Sequence, residues 1–269
     1  MKIYQLTNIT QSQMLCMIIQ TDNGKVIAID GGTVLQYEEV YRILKKVGLK
    51  VDMWFMTHPH DDHFGSIIEV LKAHDDIEVA GFWHSTVKEE GLIGTDANWY
   101  EFVKETDIPV HELKMDEQFV VDNVTIDVLG IANPEIVNDI EFINNQSIVL
   151  KISDGDFSLL ILGDLAVEGG KKLLANHREE IKCDAVQMAH HGQKGVDRDV
   201  YEAIGATYAF WPTPIWLWEN RWPTWTEPDL KDLKTFVVRG WMLELDTISI
   251  NAFDNTIMFD TATKEITEV

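Results

Sequence analysis

The chain has little cysteine: two residues, Cys16 and Cys183, among 269. Two thiols in so long a chain exclude a disulfide framework. Their apolar neighbours (Met14-Leu15-Cys16-Met17-Ile18 and Ile181-Lys182-Cys183-Asp184-Ala185-Val186) mark both as small buried hydrophobes. Positive charge is also scarce. Against 45 Asp and Glu stand 22 Lys and Arg, a formal net charge of −23. Such a surface stays soluble but repels polyanions, so a long nucleic acid is not the expected partner. No run approaches 18 apolar residues, so no membrane span is expected. Met1-Lys2-Ile3-Tyr4-Gln5-Leu6 lacks the apolar stretch of a signal peptide, and the cytoplasm is the expected compartment. No repeat, low-complexity segment or linker breaks the chain. One domain over residues 1–269 is expected, and the length suffices for a large core.

What the chain has is histidine in one place. Three of its nine histidines fall in Thr57-His58-Pro59-His60-Asp61-Asp62-His63-Phe64-Gly65. The stretch follows an apolar run, Val51–Met56, read as a buried strand, and precedes Ser66–His74, read as a helix. His58 and His60 are two apart, so in extended backbone they point the same way and can grip one ion. Asp62 and His63 lie past the turn and can reach a neighbouring ion. Imidazole with carboxylate suits zinc, manganese or iron rather than calcium. The bland alternative, a solvated polar loop, does not account for four ligands directly after a buried strand.

The remaining pattern alternates strands and helices. Cys16–Gln20 and Lys25–Asp30 read as strands around Thr21-Asp22-Asn23-Gly24, and Tyr37–Val47 has helical spacing closed by Gly48. Later strands are expected at Glu78–Trp83, Phe119–Val121, Val124–Leu129, Ser147–Ile152, Ser158–Leu162, Ala185–Met188, Thr207–Trp211 and Thr256–Phe259. Helices are expected at Trp99–Glu105, Glu168–Asn176 and Asp229–Val238. The pattern places sheets inside and helices outside.

Two strand ends carry further chemistry. Leu159-Leu160-Ile161-Leu162-Gly163-Asp164 sets a carboxylate at the end of a core strand, although Gly-Asp there is often only a turn. Ala185-Val186-Gln187-Met188-Ala189-His190-His191-Gly192 ends a second buried strand in histidine. Beside the first motif, one of the two becomes a ligand candidate.

In this order the residues resemble the metallo-β-lactamase superfamily. His58-x-His60-x-Asp62-His63 matches its metal loop, Asp30-Gly31-Gly32 its strand-ending Asp-Gly, Gly163-Asp164 its bridging aspartate, and His191-Gly192 its last metal histidine. The likeness spans roughly residues 14 to 192. It implies an α/β fold, a four-layer αβ/βα sandwich with the site at one edge between the sheets. Asn144-Asn145-Gln146-Ser147, Leu160–Asp164 and His190-His191-Gly192 look closer still to the metallo-hydrolase domain of bacterial competence DNA-uptake channel proteins. Where most of the superfamily has a histidine, this chain offers Asn144 or Asn145, a weaker amide ligand. Those domains also carry Asn-x-x-x-His-Pro, where Asn220-Arg221-Trp222-Pro223 departs by one residue and a tryptophan.

The resemblance implies two divalent ions, zinc or manganese, with iron also compatible. One would take His58, His60 and Asn144; the other Asp62, His63 and His191; Asp164 would bridge. Asp62 and Asp164 are the catalytic candidates, and Asp30 and His190 the residues behind the ligands. The expected reaction is hydrolysis of a small phosphoric ester. A lactone, thioester or amide, or a decayed metal-binding module, are the alternatives.

The segment from Trp211 to Trp225 holds five of nine tryptophans and three prolines, so neither an ordinary helix nor an ordinary central strand is expected. Trp216, Trp218, Arg221 and Trp222 are candidates for a substrate wall, Arg221 for an anionic group. A packed loop or a homodimer contact is the competing reading.

Overall fold

The computed structural model describes all residues except 11, 89–91, 93, 138, 220 and 222–234. In the first half come β1 (Lys2–Gln5), β2 (Cys16–Gln20), β3 (Val26–Asp30) and α1 (Tyr37–Val47). Then follow β4 (Lys50–Val51), β5 (Met53–Phe55), α2 (Asp61–Ala73), β6 (Glu78–Val79), β7 (Phe82–His84), α3 (Ala97–Glu105) and β8 (Val110–Glu112). The second half opens with β9 (Gln118–Val121), β10 (Val124–Gly130), β11 (Val149–Ser153), β12 (Ser158–Ile161), α4 (Val167–His177) and β13 (Ala185–Gln187). It continues through α5 (Arg198–Ile204), β14 (Tyr208–Trp211), α6 (Ile215–Trp218), α7 (Thr235–Glu244), β15 (Ile248–Asn251), β16 (Ile257–Asp260) and β17 (Ile266–Glu268).

Two sheets form. One has the order β17-β16-β1-β2-β3-β5-β7-β8 and the other β15-β14-β13-β12-β11-β10-β9. Alternation along the strands builds four layers. In β2, Met17 and Ile19 face the other sheet, while Cys16 and Ile18 face α1 and α2. In β12, Leu159 and Ile161 face the first sheet, and Leu160 lies with the residues of α4 and α5. The central strands β2, β3 and β12 are covered on both faces and read as continuous apolar runs. This is the αβ/βα sandwich. Among the described residues, no helix is long and apolar enough to cross a membrane.

The structure differs from the sequence reading at places that bear on the site. Val51–Met56 is not one strand. Asp52 breaks it, because its carboxylate accepts from Val26 N at 2.9 Å and Lys25 Nζ at 2.8 Å. Before the break β4 pairs with β6; after it β5 lies parallel to β3. Helix α2 begins at Asp61 rather than Ser66, with His63 N and Phe64 N both donating to His60 O. Asp62 and His63 therefore sit on a first helical turn, where carboxylates also complement the helix dipole. Trp211 ends β14, a strand that pairs on both sides, as expected for Thr207–Trp211; beyond it Trp216 and Trp218 lie on the short helix α6, where no ordinary helix was expected. Of the expected helix Asp229–Val238, residues 229–234 lie outside the described residues; 235–238 belong to α7, which runs on to Glu244 instead of ending at Val238.

Candidate metal centre

The loop between β5 and α2 presents the histidine motif at the carboxyl end of the first sheet. Asp30, at the end of β3, supports it from below. Its backbone is left-handed (φ 54°) and its side chain is fully buried. Its carboxylate accepts from Thr57 N, Thr57 Oγ1 and His63 Nδ1, each at 2.7 Å. Gly31 N and Gly32 N donate to His63 O at 2.6 and 3.2 Å. A Cβ at Gly31 would lie 2.8 Å from Ile67 Cγ1 and 3.0 Å from the Ile67 backbone N, so glycine lets α2 approach this closely.

These bonds decide which ring nitrogens carry protons. The Asp30 carboxylate accepts, so the neutral His63 ring carries its proton on Nδ1 and leaves Nε2 bare for a cation. Thr57 Oγ1 gives its one proton to Asp30, so it accepts from His58 Nδ1 at 3.1 Å and leaves His58 Nε2 bare. His60 Nδ1 lies 2.9 Å from His58 Nε2, so both rings address one point.

The second sheet supplies the rest. Gly163 is left-handed (φ 55°) and turns the chain after β12 so that Asp164 points inward; Asp164 N donates to Ser147 Oγ at 3.0 Å. After β13, His190, His191 and Gly192 are all left-handed (φ 51°, 54° and 76°). The backbone there is held by Thr213 Oγ1, which donates to His191 O at 2.6 Å. His191 Nδ1 donates to Pro212 O at 3.2 Å, since a carbonyl can only accept, and its Nε2 is bare too.

Asp164 Oδ2 then stands 3.3 Å from His63 Nε2, 3.2 Å from His191 Nε2 and 4.0 Å from His58 Nε2. Asp62 Oδ2 is 3.1 Å from His191 Nε2. His63 Nε2, His191 Nε2 and Asp164 Oδ1 are buried without a hydrogen-bond partner. In the neutral rings these nitrogens face carboxylate oxygens and repel them unless a proton or a metal ion lies between. The donor set, imidazole and carboxylate, fits a borderline divalent cation. Among the described residues two groupings could hold one: His58, His63 and Asp164, and Asp62, His63 and His191.

Electrostatics agree. Burial opposes charge on His63 and His191, but the carboxylates around them outweigh it. His63 is lifted well above the usual histidine range, and His191 to about 9. Burial, then the neighbouring His63 and His60, pushes His58 well below it. Burial acts to raise Asp164, yet His191 and His63 hold it well below the carboxylate range. The centre draws in positive charge, as protons or as metal.

The other candidates lie as follows. Asn144 is buried; its Nδ2 donates to Glu141 Oε2 at 2.5 Å, which turns Oδ1 away from Glu141 and leaves it unpartnered. His190 Nε2 lies 3.5 Å from Asn144 Nδ2, and its Nδ1 3.3 Å from Lys194 O. Trp218 packs edge-on against Trp211 (5.2 Å) and against Phe253 (5.5 Å), with the Arg239 guanidinium 3.8 Å over its ring. These are the contacts of a packing residue. Trp216 is partly buried, and its carbonyl accepts from Arg221 N. Arg221 is mostly exposed and pairs with Glu219 at 3.0 Å. Trp222 lies outside the described residues.

Sequence reasoning missed Thr57, Ser147, Gln187 and Thr213. Gln187 did leave a signal, being a polar side chain inside the apolar strand Ala185-Val186-Gln187-Met188.

A profile of the Metallo-beta-lactamase superfamily matches residues 9–207. The chain belongs to the metallo-beta-lactamase superfamily. Over 190 residues it is 26% identical to ComE operon protein 3 of Bacillus subtilis, a match covering 64% of this chain and 23% of that protein. The chain thus spans under a quarter of that relative. Among solved structures, the metallo-beta-lactamase fold protein YhfI from Bacillus subtilis superposes with a TM-score of 0.59 at 12% identity, covering 96% of this chain and 99% of that one. CmlA, a diiron β-hydroxylase from Streptomyces venezuelae, superposes with a TM-score of 0.58 at 10% identity, covering all of this chain and 54% of that one. At such identities the likeness is one of fold. Asp30, His58, His60, Asp62, His63, Asp164 and His191 lie within the residues matched to the superfamily.

Proposed function

We propose that this metallo-beta-lactamase superfamily member is a metal-dependent hydrolase with two divalent ions. One observation carries the reading: side chains from both sheets bring bare nitrogens and carboxylate oxygens within 3.1–3.3 Å of one another in a buried centre. Asp62, His63 and His191 would hold one ion; His58, His60 and Asn144 Oδ1 the other; Asp164 would serve both. When bound, such ions supply an activated water near neutral pH and stabilise charge on the substrate oxygen. The chain's own residues do the rest. Asp30 and Pro212 fix the histidine tautomers, and the partly exposed Asp62 carboxylate orients the attacking water. The apolar layer beneath keeps bulk water out.

The substrate class we favour is a small phosphoric ester, on the resemblance of Leu160–Asp164 and His190-His191-Gly192 to the metallo-hydrolase domain of competence DNA-uptake channel proteins and a charge that disfavours a long polyanion. Zinc or manganese is the favoured metal, because one amide among imidazoles weakens the preference for zinc. The test is elemental analysis of anaerobically purified protein, with a screen on bis-p-nitrophenyl phosphate, lactones and thioesters. Two ions with turnover of the phosphodiester support the reading. Turnover of a lactone or thioester alone moves the substrate class. One ion or none, without turnover, leaves a metal-binding module.

A further inference from the structure

We propose that Gln187 is a positioning residue that locks together the two turns carrying Asp164 and His191, and thereby sets the affinity of the site for its cation. The inference rests on the metal reading above.

Gln187 is the last residue of β13 and has no exposed surface. Its neighbour β12 runs parallel to it and ends at Ile161, just before Leu162-Gly163-Asp164. Where parallel strands end together, the chain leaves the sheet and the last backbone groups lose their ladder partners. The Gln187 amide replaces those partners. Its Oε1 accepts from Leu162 N at 2.9 Å and Gly163 N at 2.8 Å. Its Nε2 donates to Gly163 O at 3.0 Å and Met188 O at 2.7 Å. Both donors and both acceptor positions of the side chain are filled.

The bonds tie specific turns. Gly163 O also accepts from His190 N at 3.2 Å. One carbonyl thus joins the turn before Asp164 to the turn before His191, and Gln187 grips it. Gly163 is also confined on its other side: a Cβ there would lie 2.9 Å from Ser147 Oγ and 3.0 Å from Thr57 Cβ. The 3.2 Å approach of Asp164 Oδ2 to His191 Nε2 is fixed by this clamp rather than by either turn alone.

A polar residue that only satisfies buried groups would affect stability and nothing else. The experiment separates the two roles. Binding of Mn²⁺ and of Zn²⁺ is measured by calorimetry on wild type, Gln187→Met, Gln187→Glu and Ile152→Ala, the last a core change between the sheets. Met keeps the shape and loses all four bonds. Glu keeps the acceptor and, held neutral by burial, one donor. We expect cation affinity about 10–100-fold weaker in Gln187→Met, as when a group behind a ligand is removed, with Gln187→Glu between it and wild type. Ile152→Ala should melt lower when metal-free yet bind as wild type does. Unchanged affinity in Gln187→Met, or an equal loss in Ile152→Ala, overturns the proposal. Wild-type protein that takes up neither cation overturns the metal reading itself, and this inference with it.

Discussion

His63 Nδ1 lies 2.7 Å from Asp30 Oδ2, and neither side chain reaches solvent. The two are 33 residues apart, one ending β3 and one in the first turn of α2. This bond aims the bare nitrogen of His63 at Asp164. A buried acid behind the centre therefore governs which atom His63 presents to Asp164.

Replacing Asp30 tests that governance. Asp30→Asn keeps the shape but sets an amide donor against His63 Nδ1 or the Thr57 hydroxyl. The protein should stay folded by circular dichroism and bind cations at least about 10-fold more weakly in titration. Asp30→Ala strands Thr57 N, Thr57 Oγ1 and His63 Nδ1. It should cost on the order of 3 kcal/mol or more in urea unfolding.

The two ligand sets should empty separately. Elemental analysis of His60→Ala should show loss of one ion, and hydrolysis should vanish. His191→Ala should lose the other ion. Full activity in His60→Ala would refute that ligand assignment.

Stability of the metal-free protein should fall as pH rises. His191 is raised to about 9 by Asp164 and Asp62 despite burial, against an ordinary value near 6.5. A raised histidine contributes stability that is complete below its unfolded pKa. That contribution is lost as pH climbs through the folded one. The melting temperature in chelator should drop between about pH 6.5 and 9. Added Zn²⁺ or Mn²⁺ should restore it most at the upper end, where no proton competes. A flat profile in chelator would contradict the charge balance described for the centre.

Two left-handed glycines should respond differently to alanine. Gly155 (φ 92°) has open space around it, so Gly155→Ala should cost about 1–2 kcal/mol of backbone strain. Gly163 (φ 55°) is crowded by Ser147 and Thr57, so Gly163→Ala should cost about 2–4 kcal/mol and weaken cation binding as well. Urea denaturation with parallel metal titration distinguishes them.

Much of this was legible in the chain because local pattern carried it. The apolar run Cys16-Met17-Ile18-Ile19 before the turn Thr21-Asp22-Asn23-Gly24 located β2, and the structure then divides its side chains between two layers. The helical spacing of Val40, Ile43, Leu44 and Val47 located α1 to the residue. Asp52 was missed as a break because its partner, the Val26 amide, is 26 residues away. The first-turn placement of Asp62 and His63 was missed because Pro59 and a run of polar residues mask the helix start. Trp218 drew attention as an aromatic near a metal motif, but its neighbours Arg239 and Phe253 come from later in the chain, and sequence order cannot show them.

The four-layer sandwich was implied by the resemblance to the metallo-β-lactamase superfamily. The sequence by itself determined the candidate ligand types, their order along the chain and the alternation of strands with helices. Those follow from side-chain chemistry and from short-range periodicity, both of which are local. Only the tertiary structure decided which nitrogen of each histidine is bare, which carboxylate faces it, and that Gln187 and Asp30 hold the turns. Those are properties of contacts between β3, α2, β12 and β13, set by how two sheets pack, and no single segment of the chain contains them.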